Sequence, residues 1–313
     1  MRWSDFRRSD NLEDRRGQGG GFSMGGGGRL PVRGGRLGIG SIIVLLLIAW
    51  LLGVNPLALL GLTDTFNDSG QYQETPYSGS SGAPGGQATS DAPQDKSAQF
   101  VAAVLGDTED RWSEIFQGLQ RTYDPPKLVL FSGVTRSACG TAQSAMGPFY
   151  CPNDRRVYLD TAFFRQIETQ LRGCPVGSST CEFSQAYVIE HEVGHHVQNL
   201  LGILPKVRQQ QESAGERETN RIQVLLELQA DCFAGVWANH SEQKWKFLEP
   251  GDVEAALQTA SAIGDDMLQK RAQGFVVPDS FTHGSSAQRT RWFTAGLKDG
   301  NIQSCNTFGA AQP

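Results

Sequence analysis

The sequence has no excess of positive charge, since 28 Lys and Arg stand against 33 Asp and Glu for a formal net charge of −5. That balance gives no reason to expect a nucleic-acid surface. What basicity there is gathers in residues 1–36, which hold ten Gly, eight Arg, four acidic residues and no Lys, leaving this arm at +4 and the other 277 residues at −9. Its glycines predict a flexible, solvated tail. There is no internal repeat, and the six cysteines include no CxxC pair that would mark a thiolate metal or redox motif. Residues 37–62 contain no charge at all over 26 positions, LGIGSIIVLLLIAWLLGVNPLALLGL.

At ~1.5 Å per residue this run crosses a ~30 Å hydrocarbon layer, so a transmembrane helix is expected, its far end near Asn55-Pro56. The competing reading is a cleaved signal peptide. Against it, the run exceeds the usual ~7–15 residue apolar core and no small-x-small site follows promptly, so an uncleaved anchor is favoured. Arg29, Arg33 and Arg36 precede the run while Asp64 and Asp68 follow it. The positive-inside rule then keeps the amino terminus cytoplasmic and exports the rest. All six cysteines lie after the run, in the compartment expected to be oxidising. The short intervals favour Cys139 with Cys151 and Cys174 with Cys181, leaving Cys232 for Cys305; free or metal-bound thiols are the alternative.

Residues 63–96 are Gly, Ser, Pro, Gln and acid, a flexible spacer. The folded part is therefore expected at 97–313. Apolar positions three and four apart from Phe100 to Phe116 predict an amphipathic helix, with a possible break at Gly106. Strands are expected at 128–133 and 156–160, a helix through Phe163 and Phe164, and further helices near 183–200, 217–240, 252–272 and 285–299. This pattern is α+β, mostly helical with a small sheet.

The informative stretch is FSQAYVIEHEVGHHVQNLLG. His191 and His195 are four apart, so on a helix their rings lie one turn above the other and can hold one metal ion, with Glu192 placed to act on a metal-bound water as general base. A catalytic zinc takes three protein ligands and leaves one place for water. Downstream, the apolar helix RIQVLLELQADCFAGVWANH is interrupted by Glu227 and Asp231, again four apart. Two buried carboxylates need a cation, which makes Glu227 the expected third ligand. Asp231 is the expected acceptor for a ligand histidine's outer nitrogen. An exposed Glu and Asp in ordinary surface pairs would be the plainer reading. His196 is turned about 100° away and is expected to be structural. His283, before a Ser-capped helix, and Arg289, on that helix's second turn, are candidates to steady an oxyanion; a loop histidine satisfied by backbone is the alternative.

CGTAQSAMGPFYCPNDRRVYLD, HEVGHHVQ, ELQADCFAG and DSFTHGSSAQRTRWFTAG, in that order along the chain, resemble the neutral zinc metallopeptidase family of bacterial, membrane-anchored proteins. HExxH followed by ExxxD also resembles the gluzincin arrangement. The resemblance implies a zincin-like fold over 97–313 and one catalytic Zn2+ on His191, His195 and Glu227. It further implies Glu192 as base, Asp231 as supporting acid, and a protein or peptide substrate. The expected setting is the bacterial inner membrane, single pass, with the catalytic domain periplasmic or extracellular and the lipid bilayer as partner of 37–62. Zincin-like enzymes hold peptides along a strand edge, for which VYLD at 157–160 is the local candidate; a core strand is the equal alternative. A membrane-anchored scaffold using the zinc site without turnover is the alternative from another class, as is hydrolysis of a non-peptide amide.

Overall fold

The computed structural model describes residues 1–17 and 95–310; the expected membrane run at 37–62 and nearly all of the spacer at 63–96 lie outside them. Among the described residues no helix is long and apolar enough to cross a membrane. The chain order is β1 (Leu12–Asp14), α1 (Lys96–Gly118), β2 (Lys127–Phe131), β3 (Val134–Ser137), β4 (Gly140–Gln143), β5 (Phe149–Cys151) and β6 (Arg156–Asp160). Seven helices follow: α2 (Ala162–Thr169), α3 (Cys181–Leu200), α4 (Ile203–Glu212), α5 (Glu216–Trp245), α6 (Asp252–Ala262), α7 (Asp265–Gln273) and α8 (Ser286–Asp299).

Four strands form one sheet in the order β1-β2-β6-β5, with β1, β2 and β6 parallel and β5 antiparallel to β6. Strands β2 (KLVLF) and β6 (RVYLD) are each buried at their last four positions, as central strands covered on both faces must be. Strands β3 and β4 make a separate hairpin. Helix α1 starts on Asp95, whose side chain accepts the Ala98 backbone N–H at 2.8 Å, and runs unbroken through Gly106, contrary to the break expected there. The apolar faces of α1, α3, α5 and α8 meet in a core that includes Trp112, Phe183, Trp237 and Phe293, all essentially inaccessible to solvent.

Three differences from the expected layout bear on the site. The stretch 252–272 is two helices, because the chain turns at Gly264 and Asp265 to serve a loop. The Asp265 carboxylate accepts the backbone N–H groups of Thr282, His283 and Gly284 at 2.7, 2.6 and 3.0 Å. Next, VYLD is interior to the sheet, whose edges are β1 and β5. Finally, the first sixteen residues are no solvated tail. Strand β1 pairs with β2, and Phe6 is buried.

All six cysteines are paired, Cys139–Cys151, Cys174–Cys181 and Cys232–Cys305. The last joins α5 to the turn after α8 across 73 residues.

Candidate metal centre

Helix α3 presents His191, Glu192 and His195, and α5 presents Glu227 and Asp231. The two helices cross where Gly194 meets Ala230. A Cβ on Gly194 would lie 2.9 Å from the Ala230 carbonyl oxygen, so glycine between the two histidines sets how near the carboxylates come. His191 Nε2 is 3.1 Å and His195 Nε2 3.5 Å from the same oxygen, Glu227 Oε2. One ligand atom from each of the three residues lies within 4.8 Å of the others. Tetrahedral zinc with bonds of about 2.0–2.1 Å has ligand–ligand edges of roughly 3.3–3.4 Å, so this donor set fits the ion.

The outer atoms of each ligand are already engaged, which selects the inner ones for a cation. His191 Nδ1 donates to Asp231 Oδ1 at 2.8 Å. The other Glu227 oxygen, Oε1, accepts from Gln223 Nε2 at 2.8 Å. His195 Nδ1 lies 2.9 Å from Gln198 Oε1, while Gln198 Nε2 donates to the Leu226 carbonyl at 2.7 Å. A carbonyl only accepts, so the Gln198 amide orientation is fixed and its oxygen takes the His195 proton. Gln198 was not singled out from sequence; a glutamine three residues after a histidine carries no recognisable signal. Gln198→Leu is expected to weaken zinc binding about 10–100-fold, read by competition with a chromogenic chelator, with little change in the helical circular dichroism.

Asp231 gathers four donors: His191 Nδ1, the Tyr187 hydroxyl at 2.6 Å, and Arg289 through both Nε and Nη2 at 2.9 Å. The carboxylate is fully buried and Arg289 only 2% exposed. Burial would raise the Asp231 carboxyl, but Arg289 and His191 outweigh it and hold the group below the usual range. Arg289, expected as an oxyanion donor, is therefore committed to Asp231. Burial likewise works against protonation of His191 and His195, yet Asp231 and Glu227 raise the first and Glu227 the second. Glu227 is held well below its ordinary value by the two imidazoles despite its burial. The cavity is thus built to favour positive charge, which a divalent ion supplies better than protons do.

The three residues open on a cleft of about 560 Å3, which Glu192 also lines. Its walls include Phe149, Phe163, Val188, Leu204 and Val207, and His283 stands at the rim with half of its side chain exposed. His283 Nδ1 meets Asp265 Oδ1 at 3.2 Å, and that hydrogen bond is the main reason its pKa rises above the ordinary value. Asp265 was not foreseen either. His196 faces elsewhere, between the Asp124 carbonyl at 2.6 Å from Nε2 and the Tyr150 hydroxyl at 3.0 Å from Nδ1.

Two imidazoles and a carboxylate converging between crossed helices of an α+β domain form, among the described residues, a buried group that could hold one metal ion. The chain belongs to the family described as putative neutral zinc metallopeptidase, whose model matches residues 1–308. It is 48% identical over 310 residues to the uncharacterized protein YpfJ of Escherichia coli K12, covering 99% of both chains. It is 41% identical over 222 residues to the uncharacterized protein Rv2575 of Mycobacterium tuberculosis H37Rv, covering 68% of this chain and 72% of the relative. No solved structure matches it.

Proposed function

We propose that the chain is a zinc-dependent endopeptidase attached to the bacterial inner membrane through 37–62, with its disulfide-bonded domain working in an oxidising compartment. The observation that carries this reading is the meeting of His191 Nε2, His195 Nε2 and Glu227 Oε2, with Glu192 on the wall of the same cleft. Zinc held there would lower the pKa of a water and polarise a peptide carbonyl. The chain's own groups do the rest. Glu192 takes the proton from the attacking water and delivers it to the leaving nitrogen. His283, whose Nδ1–H donates to Asp265, offers Nε2–H to the oxyanion from its protonated form, which that carboxylate favours. Asp231 and Gln198 keep the two imidazoles aimed.

An extended peptide has a place on β5, the edge strand on the cleft side, two of whose residues, Phe149 and Tyr150, line the cleft. The apolar walls would receive substrate side chains. The test is the metal content of the purified chain together with its action on unfolded protein. One zinc per chain and cleavage of reduced casein, both lost on removal of the metal by a chelator, are expected. Full zinc loading with no cleavage of any unfolded protein would sink the peptidase reading and leave a scaffold.

A further inference from the structure

Met1–Arg16 is built into the body formed by 95–310 through contacts of every kind. Phe6 is 3% exposed and lies against Trp245 and Phe247, with ring centroids 6.0 and 5.5 Å away. Trp3 meets Phe100 edge-on at 5.5 Å, and its indole N–H donates to Glu182 at 3.0 Å. Glu109, buried on α1, receives Arg7 at 2.7 Å, Asn11 at 2.8 Å and the Ser9 hydroxyl. Leu12, Glu13 and Asp14 then pair with Leu128, Val129 and Leu130.

Gly106 belongs to the same contact. A Cβ there would stand 2.1 Å from the Arg7 carbonyl oxygen, so a glycine in the middle of α1 is what lets the amino-terminal segment cross that helix. The last tie closes the segment. Arg16 Nη2 pairs with Asp95 at 2.7 Å, so the points where the chain leaves the described body and re-enters it are held together.

Between those points lies the uncharged run 37–62, and the polar residues 63–94 after it contain no second such run. A single crossing by 37–62, the arrangement the arginines before the run favour, puts Met1–Arg16 and 95–310 on opposite faces of the bilayer. Every contact above would then be unmade: the Glu109 carboxylate would lose all its partners, and the Phe6 site would open to water. The domain would then lack the apolar burial at Phe6 and the charge-assisted hydrogen bonds at Glu109 that close this face.

We infer that Met1–Arg16 is a structural strap of the domain that shares its compartment, so that the run 37–62 does not separate the two.

Two measurements on the full chain in bacterial cells test this. Identical protease-cleavable epitopes are placed within the Gly25–Gly28 stretch and after Pro313, and protease is added to intact spheroplasts. Both epitopes cut or both protected is expected; one cut and one protected overturns the inference. Separately, Gly106→Ala is expected to lower the Tm, because the methyl strikes the Arg7 backbone. If the segment were across the membrane, the same change would raise the Tm, since alanine is the better residue in a helix interior. A rise would equally overturn the inference. Neither result depends on peptidase activity.

Discussion

Glu192→Gln is expected to reduce peptide hydrolysis about 10²–10⁴-fold while the purified protein keeps its zinc and its Tm within a degree or two. The expectation follows from where the carboxylate is and from what it is not asked to do. Glu192 is 8% exposed, lines the cleft, and is not among the residues whose donors converge, so the ligand set His191, His195 and Glu227 is complete without it. Glutamine keeps the shape and can hold a water by a hydrogen bond, but it cannot accept the proton. The loss should therefore appear in kcat with KM little changed. Glu227→Gln should behave differently, losing zinc and hydrolysis together, because a carboxylate oxygen between two imidazoles is replaced by a weaker neutral donor. If Glu192→Gln retained full activity with zinc bound, the proton would have to go to another group, and the assignment of Glu192 as base would fall.

The convergence of His191, His195 and Glu227 was readable because a helix turns a four-residue spacing into one face, and two such pairs lay in otherwise apolar helices where polar groups need a reason. Cys139–Cys151 and Cys174–Cys181 were readable from their short intervals, and Cys232–Cys305, 73 residues apart, as the pair left over. What escaped notice has particular physical causes. The strand at Leu12–Asp14 is three residues long and sits in an arm whose glycine and arginine content, averaged over 36 positions, reads as solvated chain; its partner β2 is over a hundred residues away. Gly106 looked like a helix break because the backbone that packs against it comes from that same arm. Asp265 and Asp266 read as continuing the α6 pattern, yet both carboxylates cap the approach to α8, Asp266 by accepting from the Ser286 backbone at 2.7 Å. VYLD could be read as an edge or a core strand, and is the latter; the edge beside it, β5, is FYC, too short to announce itself next to RVYLD. Helix α4, whose Leu204 and Val207 wall the cleft, was missed because it begins only three residues after α3 ends and carries one proline.

Asp231→Asn is expected to cost about 3–5 kcal/mol of stability, the usual consequence of removing one partner from a buried ion pair. Arg289 would keep its charge at 2% exposure facing an amide whose NH2 group repels it. Yet the loss would measure the orphaned arginine, not the worth of the pair, and the double change Asp231→Leu with Arg289→Met separates the two. Replacing both charges with apolar groups of similar volume is expected to recover most of the stability, since the pair's attraction is largely offset by the desolvation of its members. Zinc affinity should not recover, remaining about 10–100-fold weaker, because His191 Nδ1 has lost the acceptor that aims its ring. Thermal denaturation of the metal-free protein reads the first quantity and chelator competition the second. Recovery of both would show that the His191 ring is held by packing alone. Recovery of stability without affinity would mean that the cluster of Tyr187, Asp231 and Arg289 exists to hold one imidazole in place, at a stability no better than an apolar core would give.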